Sequence, residues 1–203
     1  MSAAFQPNKL SLLQTPIELY GAQTGNCIRA AIALEEAMLP YTVRQVDLRS
    51  GEHRRDPFLS LNPAGKVPTI VDHSHSASPL VLLQSNAIIL YAAERAPGRL
   101  LPEEVGARRA LAFERFFYFV TDVIAPNHAA FFLRAQNASD GSVALDRRVL
   151  ESLRMGERYV SQSTFMVGDD FSIADIAAFT IAAFLKAQLD WDESRTCNAG
   201  FAS

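Results

Sequence analysis

The apolar and polar positions of the chain change period several times. Residues 16–22, PIELYGA, read as a short strand. The next apolar positions, Ile28, Ala31, Ile32, Ala33 and Leu34, fall on one helical stripe that Pro40 ends. Residues 41–48 are β-rich, with Val43 and Val46 set among polar neighbours, and predict a second strand. Two strands joined by a helix favour a parallel pair with a right-handed crossover. A turn-rich stretch follows, with a short helix expected around DPFLSL. VPTIVD then predicts a third strand, with Pro68 near its start, and LVLLQ a fourth, close enough to form a hairpin with the third. SNAIILYAAERA predicts a helix capped by Ser85. The order is β-α-β-(α)-β-β-α.

After the break at PGRLLPEE the texture becomes helical. Residues 105–136 form a long stretch rich in Phe and apolar on one side, which Pro126 should kink or interrupt. NASDGS predicts a loop. Residues 143–163 predict a helix with Leu145, Val149, Leu153 and Tyr159 at helical spacing. FSIADIAAFTIAAFLKAQLDW predicts a very apolar, central helix. Ser172 and Asp175 have the spacing of a capping box, with Phe171 and Ile176 placed for a hydrophobic staple. This pair reads as a folding device and carries no chemistry. No strand pattern appears after about residue 85, so an α/β domain at 16–98 and an all-α helical domain at 104–203 are expected. Residues 1–15 lack periodicity and read as a loose lead-in.

Composition narrows the function. With 49% hydrophobic and 20% charged residues, the 203-residue chain is an ordinary globular sequence. Its formal net charge of -3 suggests no general attraction to nucleic acid or anionic membrane. No apolar run reaches the roughly 18 residues of a membrane span, and the N-terminus does not resemble a signal peptide. Two cysteines, Cys27 and Cys197, make no disulfide framework, and a reducing, cytoplasmic setting fits. His53, His73, His75 and His128 lack zinc-like spacing, so no metal is expected. Nucleotide-binding glycine motifs and the Gly-x-Ser-x-Gly motif are absent.

Three features carry candidate chemistry, each with a bland alternative. Pro68 at a strand start fits a trans proline on an edge strand, or a cis bond that offers the Val67 backbone to an extended peptide. Gln84-Ser85 at a helix start fits a routine cap, or a carboxylate site. Thr24-Gly25-Asn26-Cys27 also opens a helix. Cys27 there fits either a thiol of lowered pKa or a small hydrophobe facing inward. Thr24 and Asn26 fit either turn chemistry or hydrogen bonding to a ligand. His53 and Lys66, in the turn-rich segment, fit solvated loop residues.

Four stretches, ELYGAQTGNCIRAAIALEE, LNPAGKVPTIVD, LLQSNAIILYAAE and FMVGDDFSIADIAAF, occur in the order and spacing of the soluble glutathione transferase superfamily. The chain resembles that family over roughly residues 16–190. The resemblance implies a thioredoxin-like first domain, a helical second domain, a homodimer, and glutathione as co-substrate along the first domain. It implies that Val67, before a cis Pro68, pairs with the cysteinyl part of glutathione. It implies further that Gln84 and Ser85 hold the γ-glutamyl carboxylate and that His53 and Lys66 serve the glycine carboxylate. Thr24 occupies the position of a catalytic Ser in many classes. Thr24-Gly25-Asn26 most resembles the Nu-class and Ure2-like branch, whose members often favour disulfide reduction.

The resemblance thus implies an enzyme in which Thr24 and Asn26 hold the glutathione thiolate for attack on an electrophile or a disulfide. Tyr20 and Cys27 are weaker rivals for the catalytic position. Gly25 stands where that branch usually has Pro, so a less rigid loop is expected. The chain ends after DWDESRTCNAGFAS, where relatives continue with one or two helices that help cover the second-substrate pocket. A non-catalytic binding protein of the same fold is the alternative. The aromatic run FERFFYF fits a wall of that pocket, but core or dimer interface equally.

Overall fold

The protein is described here by a computed structural model of residues 16–75 and 78–186. The expected lead-in, Cys197 and the sequence from Asp190 onward lie outside the described residues.

Strands β1 (Ile17–Gly21), β2 (Tyr41–Gln45), β3 (Thr69–Asp72) and β4 (Leu80–Leu83) form one sheet in the order β2-β1-β3-β4. β1 and β2 are parallel, joined by helix α1 (Gly25–Glu36), and β3 runs antiparallel to both β1 and β4. Alternation along β1 sends Ile17 and Leu19 into the core, while Glu18 and Tyr20 face the other side. On that side Tyr20 meets Phe58 of the short helix α2 (Phe58–Leu61). The core side is covered by α1 and α3 (Ser85–Arg95). From these, Ala30, Ala33, Leu34, Ile88, Ile89 and Ala92 pack with Ile17, Leu19 and Ile70. Each large aliphatic side chain buried this way contributes roughly 1.5–3 kcal/mol. β2 is an edge strand. Val43 is exposed and Val46 is buried just past the strand end, as three residues of separation in a two-residue period require.

The helical part begins with one continuous helix, Ala107–Ala135. It comprises α4 (Ala107–Tyr118), a π-helical segment (Phe119–Ile124) and α5 (Ala125–Ala135). Pro126 has no N–H to continue the ladder, and the helix widens immediately before it instead of breaking. By length and composition alone this helix contains a window that could cross a membrane, although Asp122, Asn127 and His128 interrupt its apolar stretch. A third of that window is buried within the protein.

Helix α6 (Ser139–Gly156) follows after only residues 136–138, a shorter connection than the NASDGS loop expected. Asn137 adopts φ 59°, a left-handed conformation that Asn tolerates, and this ends α5 abruptly. Gly156 packs against the π segment: a Cβ there would lie 2.9 Å from Phe119 Cζ.

Helix α7 (Ile173–Leu185) is central and buried, as expected. The Ser172 hydroxyl accepts from Ala174 N–H, and the Asp175 carboxylate accepts from Ser172 N–H at 2.9 Å and from Met166 N–H at 2.7 Å. The third bond ties the preceding turn to the cap. α7 packs on both α4 and α1, and so connects the helical domain to the α/β domain. The aromatic run divides. Phe116 is fully buried, Phe117 is half exposed, and Tyr118 donates to the Ser152 carbonyl.

Candidate functional site

The register of the sheet decides which loops meet. Tyr20 pairs with Thr69, and Thr69 pairs with Leu83. Because β3 is antiparallel to both neighbours, the end of β1, the start of β3 and the end of β4 share one edge. Residues 22–24, Val67-Pro68 and Gln84-Ser85 therefore converge, although they are far apart in sequence. α1 and α3 both begin at this edge, and neither has an acidic residue in its first turn. Two helix N-termini with no local carboxylate favour an anion there.

Thr24 is the N-cap of α1, and its Oγ1 accepts from Cys27 N–H at 3.3 Å. Accepting with the oxygen leaves the hydroxyl proton available to a ligand. Cys27 is 5% exposed and free. Its Sγ accepts from Ala22 N–H at 3.4 Å, and a Cβ on Gly21 would lie 3.3 Å from it. This sulfur fills space between β1 and α1. Tyr20 donates to Glu18, which also binds Arg44 and His73. Burial and the Glu18 charge raise the Tyr20 phenol above its ordinary pKa. Tyr20 thus belongs to the α2 face.

At α3 the expected cap shifts by one residue. Gln84 is the N-cap and Ser85 the first helical residue, because the chain leaves β4 through Gln84 at φ 74°, ψ 117°. A non-glycine residue held at positive φ costs of order 1–3 kcal/mol and occurs at ligand clamps. Ser85 is 7% exposed.

The Val67–Pro68 peptide bond is cis, as is Asp56–Pro57, which the sequence reading did not raise. Lys66 is exposed, and its carbonyl accepts from Asn62 Nδ2 at 2.6 Å. His53 lies in a 3-10 turn, Glu52–Arg54. Gly65, at φ 58°, presses this turn closely, and that contact brings the backbone of His53 beside Lys66. His53 Nδ1 is buried and has no hydrogen-bond partner among the described residues.

Two residues missed in the sequence belong to the same region. Arg29 is 2% exposed and extends from α1 between Asn26, Ser85, Asn86 and Thr180. A basic residue inside an apolar helical stripe, three positions after Asn26, was the available signal. His128, on α5, has its pKa lowered by partial burial and then by the positive charges of Arg29 and Lys66. Among the described residues, no group of three or more His, Cys, Asp or Glu is placed to hold a metal ion.

Residues 25–95 match the glutathione S-transferase N-terminal domain, and residues 120–190 match the glutathione S-transferase C-terminal domain. The chain is 33% identical to the disulfide-bond oxidoreductase YfcG of Escherichia coli K12, over 86% of this chain and 83% of that protein. The chain belongs to the glutathione S-transferase family. It is also 29% identical to glutathione S-transferase 3 of Zea mays, over 85% of this chain and 80% of that one. Among solved structures, a glutathione transferase family member from Pseudomonas fluorescens, with two glutathione bound, aligns with a TM-score of 0.75 at 25% identity. That alignment covers 88% of this chain and 82% of the other. A glutathione transferase homolog from Lodderomyces elongisporus, with two GSH per subunit, aligns with a TM-score of 0.74 at 27% identity over 86% of each chain. The sheet and helices of the first part are thus the thioredoxin-like domain of a glutathione S-transferase, and α4–α7 its helical domain.

Proposed function

We propose that this glutathione S-transferase takes glutathione as co-substrate, stabilises its thiolate with Thr24 and Asn26, and directs it at a disulfide in preference to an electrophilic carbon. The carrying observation is the convergence of two helix starts on one sheet edge, with the Thr24 hydroxyl proton free beside them. A free thiol of pKa ~8.5 is mostly protonated at neutral pH. Hydrogen bonds and helix N-termini favour its charged form, and each unit of lowering corresponds to about 1.4 kcal/mol. The ends of an extended tripeptide would meet Gln84-Ser85 on one side and His53 with Lys66 on the other, while its middle runs along Val67-Pro68.

Disulfide reduction balances in two steps. The glutathione thiolate attacks one sulfur, a mixed disulfide forms, and a thiolate leaves. A second glutathione thiolate then attacks the mixed disulfide, giving glutathione disulfide and the second thiolate. The similarity to YfcG supports this branch, the Nu-like one. A homodimer, a cytoplasmic setting and a division between domains in the connector after residue 98 complete the reading. Light scattering that gives a monomer mass would remove the dimer.

The test assays wild type, Thr24→Ala and Asn26→Ala with glutathione and either hydroxyethyl disulfide or a chlorinated nitroaromatic. Disulfide reduction is expected to exceed conjugation, and each variant to lose about a hundredfold. Conjugation alone would sink the Nu-like assignment. Reduction that survives both substitutions would remove these residues from the mechanism. Glutathione binding without turnover would make the protein a binding module.

A further inference from the structure

We infer that Arg29 is a positioning residue for the thiolate site: it holds the side-chain carbonyl of Asn26 and so turns the amide nitrogen of Asn26 toward the bound sulfur. The inference rests on the function proposed above and adds a residue that neither helix-cap logic nor motif matching assigns.

A guanidinium has five N–H donors and no acceptor. Every side-chain atom it bonds must therefore be an acceptor, which fixes amide orientations that are otherwise ambiguous. Arg29 Nη1 reaches Asn26 Oδ1 at 3.2 Å, Ser85 Oγ at 3.4 Å and Asn86 Oδ1 at 3.4 Å. Nε reaches Thr180 Oγ1 in α7 at 3.0 Å. With its oxygen on Arg29, Asn26 must present Nδ2 on the other arm of the planar amide. That nitrogen donates to no group among the described residues, and Asn26 is only half-buried. A cation on the carbonyl also polarises the amide and strengthens its N–H groups as donors.

All four acceptors around Arg29 are neutral, and no carboxylate pairs with it among the described residues. Burial pulls its pKa down to about 10, which leaves it charged at neutral pH. A buried cation without a counter-ion is costly unless an anion arrives. One guanidinium thus sets Asn26, touches Ser85 at the start of the neighbouring helix, and connects both to the helical domain.

The test is a double-mutant cycle read by the ultraviolet thiolate absorbance of enzyme-bound glutathione across pH. Asn26→Ala is expected to raise the bound thiol pKa. Arg29→Met is expected to raise it by a similar amount, about one unit, with kcat at neutral pH falling more than KM for glutathione rises. In the double variant no further rise is expected, because Arg29 acts through Asn26. Additive shifts would overturn the inference, since Arg29 would then act only as an independent charge. An unchanged pKa with a raised KM would overturn it too, leaving Arg29 to serve Ser85 alone. Should Asn26→Ala itself leave the pKa unmoved, the thiolate reading falls and this inference with it. A shift in Asn26→Ala that Arg29→Met lacks sinks the inference alone. If Arg29→Met does not fold, Arg29→Lys supplies the same cycle. It keeps a charge and loses the planar fork, so a smaller rise is expected, again absent in the Asn26→Ala background.

Discussion

Arg29 of α1 donates from Nε to the hydroxyl of Thr180 in α7, and both side chains are buried. The bond joins the two domains beneath the proposed glutathione site. Thr180→Val keeps the shape and removes the acceptor, so a buried charged donor is left unmet. Chemical denaturation should show a loss of about 1–3 kcal/mol. An unchanged midpoint would mean that Arg29 finds another acceptor.

Thr24 has two roles that substitution separates. Thr24→Ser keeps both the cap and the hydroxyl proton and should retain disulfide reduction. Thr24→Ala loses both, with about 1 kcal/mol of stability for the cap and most of the activity. A Thr24→Ala enzyme as active as Thr24→Ser would remove the hydroxyl from the mechanism.

Cys27 should be dispensable for turnover. Its sulfur packs against Gly21 and accepts a backbone N–H, so it is neither exposed nor presented. Cys27→Ala is expected to remain a glutathione-dependent reductase, and iodoacetamide should label the native Cys27 slowly. Loss of activity on alkylation of Cys27 alone, with the fold intact by circular dichroism, would reverse this.

Gly65 couples loop shape to affinity. At φ 58°, with the His53 carbonyl oxygen 2.8 Å from any added Cβ, it tolerates no side chain. Gly65→Ala should push the His53 turn from Lys66 and weaken glutathione binding, measured by calorimetry. Unaltered affinity would show that His53 and Lys66 do not act as a pair.

His128 sets a pH dependence. Its folded pKa lies below the unfolded value of about 6.5, first from partial burial and then from Arg29 and Lys66. As pH falls through about 6.5 the unfolded chain binds the proton first, so stability declines there and levels off below the folded pKa. His128→Gln should flatten that slope in urea midpoints measured from about pH 7.5 downward. An identical slope would place the titration elsewhere.

The regular elements were legible because their periods are local. The α1 stripe, the β3–β4 hairpin and the Ser172–Asp175 box all follow from neighbours within a few residues. Ser85 was misplaced by one position because nothing in QSN announces the positive φ of Gln84. Asn137 shortened the α5–α6 loop for the same kind of reason. Thr24, Val67 and Ser85 were each visible as separate helix or strand starts, but only the antiparallel register of β3 brings them to one edge. Arg29 and His128 stayed hidden because most of their partners are distant in sequence: Thr180 is 151 residues from Arg29.

The π segment sets the angular phase of everything after it. One residue more or less in a helix turns the following side chains by about 100° around the axis. The wide turn at Phe119–Ile124 takes up such an offset before Pro126. His128 comes within the electrostatic reach of Arg29 and Lys66, whereas an unbroken α-helix would turn it to another side of the helix. A single-residue deletion within that turn would act as a rotation, moving the imidazole away from Arg29 and Lys66 while leaving the helix whole.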